Sequence, residues 1–491
     1  MTAKMKRAIV IGGGFGGLLA ARVLSDFYRE VYIFEKDELP DGPDERPGTP
    51  QAYHPHRFTF RGKEITNHFF PGFEEDLILK GAPSSLNKTV HQQNKYGAIV
   101  LKYPRNDIKF SRQMLEWVIR ERVKKIPNIC FFPAHQVTGL LFSEEKHVLG
   151  VAVRNRKTQD ELTYTADLTA DTSGRTSKTE KWLTEHGFDV PCPDVLTIKL
   201  GYSTRRYKLP SHRRELADQL DVINLAGDPE NGTMTGVFSF IENQIAELAL
   251  GRPGGNYPPY ETGEFEQALK DLSSPIIADT VKDLEPITPP KSFRIPEIIR
   301  HHYEDIANWP SGLLVLGDAI CTFDPIFGQG MTVAAMEAET LERFLISEKM
   351  QPEPYLERRL LFAFQKNISP AWWLNCAADL QWKNVEYKSD RPLKGIDFVQ
   401  KFMDFLLKFT TEQKKFDLYG LYWAVNTLSV PSSKLFNENV VTSVLESSSE
   451  GIELLEELRG AYHQPVDKIL AEIVSLISGD IPIYRAQDLV K

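Results

Sequence analysis

The sequence predicts a mixed α/β protein: a parallel-sheet domain assembled from separated stretches of chain, an inserted antiparallel sheet, and a helical C-terminal region. Three observations predict it. Residues 8–34 read strand, glycine-rich turn, helix, strand, the opening of a βαβ unit. The stretch 195–300 holds strand-like runs such as Gly236-Val237-Phe238-Ser239-Phe240-Ile241. After position 350 the pattern turns helical, with aromatic residues clustered in 371–423.

Bulk properties set outer bounds. A chain of 491 residues exceeds one small core and predicts several domain-sized units. Hydrophobic content of 42% fits a folded globular chain, and a net charge of -9 argues against a nucleic-acid partner. Cys130, Cys192, Cys321 and Cys376 are scattered and form no CxxC pair, which argues against a disulfide framework or zinc site and for a reducing, cytoplasmic setting. No signal-peptide pattern precedes the first strand, and no apolar run reaches the ~18 residues of a spanning helix. Membrane contact is expected to be at most peripheral.

Taken in order, the strand 8–11 ends in Gly12-Gly13-Gly14-Phe15-Gly16-Gly17, where Gly12, Gly14 and Gly17 fit G-x-G-x-x-G. Gly12 permits the tight turn, Gly14 lets backbone approach a pyrophosphate at the helix N-terminus, and Gly17 lets helix and sheet pack closely. Glu35 ends the next strand, 31–34, where a carboxylate binds a ribose hydroxyl pair. Strand, helix and acid together predict a dinucleotide site; the alternative is a ligand-free glycine turn with an ordinary surface acid. Residues 39–56 are rich in Pro and Gly and read as a long irregular segment carrying Arg46. Residues 111–126 read as a helix with Leu115, Val118, Ile119 and Val123 on one face. Strands 147–154 and 161–166 flank the turn Lys157-Thr158-Gln159-Asp160 and lead into a strand at 167–172. A last strand, 313–316, precedes Gly317-Asp318 and a helix.

These later segments carry a family resemblance. Gly317-Asp318 followed by Pro325-Ile326-Phe327-Gly328-Gln329-Gly330-Met331 is similar to the GD and PxxGxG motifs of flavoprotein monooxygenases. Asp171-Thr172-Ser173-Gly174-Arg175-Thr176-Ser177 resembles their D-x-x-G-x-x-S motif, and Ser111-Arg112-Gln113-Met114-Leu115-Glu116 resembles their arginine-bearing helix. Arg46-Pro47-Gly48-Thr49-Pro50-Gln51 through His54-Pro55-His56 is similar to a signature of a bacterial branch that includes the flavin epoxidases of polyether biosynthesis. Phe70-Pro71-Gly72-Phe73, Tyr303-Glu304-Asp305 with Trp309-Pro310, and Asn426-Thr427-Leu428 also resemble that branch.

The resemblance implies a Rossmann-like FAD-binding domain of the glutathione-reductase and aromatic-hydroxylase type. It would comprise 1–85, 106–190 and 300–350. A substrate-binding sheet domain would comprise 86–105 and 191–299, followed by the helical region 351–491. FAD contacts are implied for Gly12, Gly14, Phe15, Gly16 and Gly17, then Glu35, Lys36 and Arg46, then Arg112, Val137, Asp171 and Gly174. They continue at Gly317, Asp318, Pro325, Gly328, Gly330 and Met331. The physics agrees. Asp318 after a strand can accept from ribityl hydroxyls, and the N–H groups of Gly330 and Met331 can face the flavin edge that becomes negative on reduction.

The implied activity is FAD-dependent monooxygenation. One oxygen atom of O2 passes through a C4a-hydroperoxyflavin into a small lipophilic substrate, by epoxidation or hydroxylation, in specialised metabolism. NAD(P)H supplies electrons directly or through a partner flavin reductase. The alternatives are a flavin-dependent reductase of isoprenoid-type double bonds and a non-catalytic FAD-binding protein. Pocket candidates are Asp324 and Pro325; no catalytic side chain is named. No WxW pair exists, so the tryptophan motif of flavin halogenases is missing, and no second GxGxxG is present. His54 and His56 lack a third ligand, so no metal is predicted. Arg300-His301-His302-Tyr303 reads as a polar run before the last strand. Phe398, Phe402, Phe405 and Phe409 recur at helical spacing, as core packing, an apolar substrate wall or a membrane-facing surface. Trp372, Trp373 and Trp382 carry the same alternatives.

Overall fold

The computed structural model describes residues 5–103 and 105–473; the end of the expected helical region, 474–491, lies outside the described residues. The first strand, Met5–Ile11, is buried at Ala8, Ile9, Val10 and Ile11 on both faces, as a central parallel strand must be. It lies in the middle of a five-stranded parallel sheet in the order Leu313–Val315, Leu168–Asp171, Met5–Ile11, Tyr28–Phe34, Ile129–Phe132. Strands far apart in sequence are therefore neighbours, which is why the motifs they carry meet at one edge. The helices Phe15–Leu24 and Gly330–Met350 pack together against this sheet.

A three-stranded antiparallel sheet follows, His135–Phe142, Val148–Asn155 and Glu161–Thr165. The last two match the expected hairpin. Its turn is held by the Asn155 side chain, which accepts from the N–H of Lys157 at 2.9 Å. The segment 39–56 is irregular apart from a short helical turn, Pro50–Tyr53. The expected helix at 111–126 runs Arg112–Val123, capped by the Ser111 hydroxyl.

The inserted sheet has eight strands. Its order is Glu285–Pro286, Leu200–Lys208, Ile245–Arg252, Thr235–Phe240, Leu220–Leu225, Thr89–Asn94, Gly97–Lys102, with Lys291–Ile295 also paired to Leu200–Lys208. The sheet departs from the expected antiparallel pattern at one seam, where Leu220–Leu225 pairs parallel with Thr89–Asn94. These two strands come from separate stretches of chain, so no hairpin dictates their direction.

The C-terminal helices Leu356–Asp379, Ile396–Glu412, Phe416–Asn426, Glu438–Leu445, Ser449–Tyr462 and Val466–Ile473 build a second core. Phe398 and Phe402 are buried in it, and Phe405 and Phe409 pack against it. Core packing therefore accounts for the aromatic stripe. Trp372 and Trp373 are likewise buried, adjacent on one helix, the first in the main core and the second in the C-terminal core. Among the described residues no helix is long and apolar enough to cross a membrane.

Arg300-His301-His302-Tyr303, read as a polar run, is instead a buried junction. Arg300 follows strand neighbours in Ile298–Arg300, and the two ring nitrogens of His302 each lie 2.9 Å from a carboxylate oxygen, of Glu304 and of Asp194. Burial opposes a charge on His302, but the two carboxylates prevail and raise its pKa. Spacing could not reveal this, because Asp194 belongs to a distant strand.

Candidate active site

The glycine-rich turn divides its labour among residues. Gly12 has φ +101°, which L side chains rarely adopt. A Cβ on Gly17 would run into the Gly12 carbonyl oxygen and, at 2.7 Å, the Thr172 hydroxyl. Gly14 is different: nothing but Arg46 Nη2, at 3.7 Å, would meet a Cβ there. Gly14 thus borders an open cradle at the start of Phe15–Leu24, a helix whose N-terminus has no side-chain cap. Unpaired N–H groups and the helix dipole make that cradle fit for a pyrophosphate.

Glu35 is fixed rather than free. Its Oε2 accepts from the N–H of Gly13 at 2.8 Å and its Oε1 from that of Asp37 at 3.0 Å. Arg46 lies 3.2 Å from Glu35, 3.1 Å from Asp37 and 2.9 Å from Glu116, all buried. Burial works against the Arg46 charge, but Glu116, Glu35 and Asp37 outweigh it and hold its pKa above the ordinary value. This pins the irregular loop against the turn. Sequence reasoning missed Asp37 and Glu116, although Glu116 stands four residues after Arg112, on the same helix face.

The second and third motifs arrive beside the first. Thr172 donates its hydroxyl to the Ile11 carbonyl at 2.8 Å, tying the strand Leu168–Asp171 to the turn. Asp171 itself is fully buried. It accepts from the Ser173 N–H at 2.9 Å and from the hydroxyls of Ser177 and Thr179, each at 2.6 Å. Its oxygens shape the turn that carries Gly174. Lys36 reaches Thr176 at 3.4 Å, and the His135 N–H donates to the Glu35 carbonyl at 2.9 Å, which sets Val137 beside the acid-bearing strand end.

Asp318 is open to the cleft yet surrounded by protein. Burial pushes its carboxyl up, while Arg112 and Arg175 pull it back. A Cβ on Gly330 would lie 3.8 Å from Asp318 Oδ1, so the acid faces the start of Gly330–Met350. That helix N-terminus also lacks a side-chain cap, because Gln329 is turned away, donating to the Asn426 carbonyl and accepting from Asn375. The Arg112 guanidinium lies 5.6 Å from the Phe15 ring centre, and its buried Nε has no hydrogen-bond partner among the described residues. An open cradle, an uncapped helix and the unpartnered Nε of an arginine that Glu116 holds at 3.7 Å all fit a bound dinucleotide with a ring at Gly330.

Beyond the turn Pro325–Phe327 lies a cavity of about 1550 Å³. Its walls include Val237 and Leu250 from the sheet, Trp382, and Tyr419 and Trp423 from the helix Phe416–Asn426; the sheet and the C-terminal helices both close it. From the Ile396–Glu412 helix it is Asp404 and Leu407 that face the cavity, not the phenylalanine stripe. Asp324 caps the turn, accepting from the Ile326 N–H at 2.7 Å, and burial pushes its carboxyl and that of nearby Asp379 up. His54 and His56 line the cavity through structural hydrogen bonds, to Thr204 and to the His54 carbonyl, each 2.8 Å. Burial lowers His56 to about 4, aided by Arg112, so its ring is neutral.

No protein-family model matches the chain. A curated protein of Mycobacterium tuberculosis (strain ATCC 25618 / H37Rv), "Protein Rv3254", is 28% identical over 403 residues, covering 77% of this chain and 81% of that one. Among solved structures, the flavin-dependent brominase Bmp2 superposes with a TM-score of 0.59 at 16% identity, over 86% of this chain and 92% of that one. The myxobacterial chondrochloren halogenase CndH gives 0.55 at 16% identity, over 76% and 81%. PqsL of Pseudomonas aeruginosa, described as a probable FAD-dependent monooxygenase, gives 0.54 at 15% identity, over 77% and 98%. The fold is therefore that of FAD-dependent halogenases and monooxygenases.

Proposed function

We propose that this protein is an FAD-dependent monooxygenase that inserts one oxygen atom of O2 into a largely apolar organic substrate, by epoxidation or hydroxylation. The observation that carries the reading is the convergence on Pro325. On one side lie the open Gly14 cradle, Asp318 and the uncapped start of Gly330–Met350; on the other lies a large, mostly apolar cavity. The fold shared with a brominase, a halogenase and a probable monooxygenase supports it.

Gly12 to Gly17 would hold the FAD pyrophosphate, with Arg46 clamping the loop beside them, Glu35 a ribose, Asp318 the ribityl chain, and the N–H groups of Gly330 and Met331 the flavin edge. Bound and reduced, FAD supplies the O2-activating chemistry. The chain's own part is orientation, dryness and charge. The helix N-terminus favours negative charge beside it. Pro325 contributes a rigid wall without an N–H donor. Neutral His54 and His56 add no charge to the wall. NAD(P)H, directly or through a partner flavin reductase, is the electron source of this reading, and specialised metabolism its setting.

The test supplies purified protein with 18O2, a reducing system and lipophilic candidate substrates, and reads products by mass spectrometry. One labelled oxygen in the product is the expected result. Label confined to water or hydrogen peroxide, with a substrate gaining two hydrogens, identifies a reductase. Halide in the product identifies a halogenase, and FAD bound without any turnover a non-catalytic flavoprotein; each overturns the proposal.

A further inference from the structure

The cavity is lined by a cation, Arg57, that stands open to it and that the fold does not pair with an acid. Arg61 pairs with Glu339 at 2.6 Å, Lys95 with Asp404 at 2.9 Å, and Lys63 with Asp107. Lys102 and Arg105 also lack such partners among the described residues; they stand on the sheet-edge strand and the loop after it, Arg105 at 4.8 Å from the Phe60 ring centre. Arg57 stands instead against the Pro325–Gly328 turn. Among the described residues no carboxylate lies within the 4.0 Å of an ion pair, and burial pulls its pKa below the ordinary value. The acid whose field reaches it, Asp221, is already held by the Ser85 hydroxyl and by Lys109 at 3.5 Å. A guanidinium left without a counter-charge and open to a cavity keeps its charge and donors for a role in ligand binding.

Its geometry supplies one. The Arg57 stem passes Gly328, where an added Cβ would come within 2.6 Å of Arg57 Cβ, so the residue rises from the Pro325–Gly328 turn. Its guanidinium carbon then lies 4.8 Å from the ring centre of Trp423. Stacking occupies a face of the guanidinium and leaves its in-plane N–H fork available. A carboxylate is the group that such a fork receives bidentately. The same cavity also carries apolar wall residues, including Val237, Leu250 and Phe327.

We propose that Arg57 is the anchor for a carboxylate on the substrate, so that the substrate class is an amphipathic organic acid with an apolar body. This rests on the monooxygenase reading for the identity of the cavity as a substrate site, but not for the binding chemistry.

The experiment uses the full-length protein as purified, with decanoate and its neutral isostere decanamide as probes in titration calorimetry. Wild type is expected to bind decanoate about tenfold or more tightly than decanamide, the worth of a charge-assisted pair. Arg57→Gln and Arg57→Met, each confirmed folded by an unchanged melting temperature, should lose that preference; Arg57→Lys should keep part of it. Equal binding of the two probes by wild type overturns the proposal. So does a preference that survives both Arg57→Gln and Arg57→Met, or no decanoate binding below about 1 mM. Flavin content is read separately by absorbance. Loss of flavin in the Arg57 variants would put the residue in the cofactor site and also overturn the anchor. A colourless wild type that still prefers decanoate would defeat the flavin reading alone.

Discussion

On the cleft side of Pro325, Arg46 is held by Glu35, Asp37 and Glu116; on the cavity side, Arg57 has an aromatic ring and no carboxylate. Both are arginines of neighbouring irregular chain, but Arg46 is buried and Arg57 is open to the cavity. The first is a structural clamp whose charge is satisfied before any ligand arrives. The second is left with binding capacity. The difference teaches that an arginine inside a cleft is informative only once its partners are known. Internal pairing marks a scaffold, and a missing counter-charge marks a surface for something else.

The largest expected effect tests the clamp. Arg46→Met leaves three buried carboxylates facing one another and should cost about 3–5 kcal/mol in urea unfolding. A loss below about 1 kcal/mol would mean that the loop is not pinned as described, and the contrast with Arg57 would fall.

The glycine turn sharpens the same contrast between scaffold and ligand surface. Gly17→Ala pushes a Cβ into the Gly12 carbonyl and should destabilise by on the order of 2–3 kcal/mol. Gly14→Val meets only open space in the protein, so its melting temperature should stay near wild type while its FAD occupancy falls at dilute FAD. Equal damage to stability from both substitutions would show that the cradle is merely tight packing.

The smallest effect concerns pH. Burial pushes Glu337 up to about 8, partly offset by the N–H of Gly317, which donates to it at 2.6 Å. The unfolded chain releases this proton near 4.5, so the native state binds more protons between those values. Its stabilising share is fully present below about 4.5 and is lost as pH rises through about 8. Glu337→Gln should therefore flatten the fall in stability over this range. Parallel stability–pH curves for variant and wild type would rule the assignment out.

Much of the cleft was legible in the sequence because its requirements are local. A positive φ at Gly12 and close packing at Gly17 are demands that only glycine meets, and they stand at fixed spacing along the chain. Alternating or continuous apolar runs likewise announced Met5–Ile11, Thr235–Phe240 and Leu313–Val315. The role of Asp171 was less legible: the motif was visible, but only the fold shows its oxygens spent on Ser173, Ser177 and Thr179.

What the tertiary structure alone decided is who neutralises whom. Arg46 finds Glu116 on a helix 70 residues away, His302 finds Asp194 108 residues away, and Arg57 meets Trp423 from a C-terminal helix that no motif linked to it. The parallel seam between Leu220–Leu225 and Thr89–Asn94 belongs with these. Backbone conformation is set by neighbours along the chain and so can be read from spacing. The free energy of an enclosed charge depends on partners that arrive only when distant segments pack, and no local pattern specifies them.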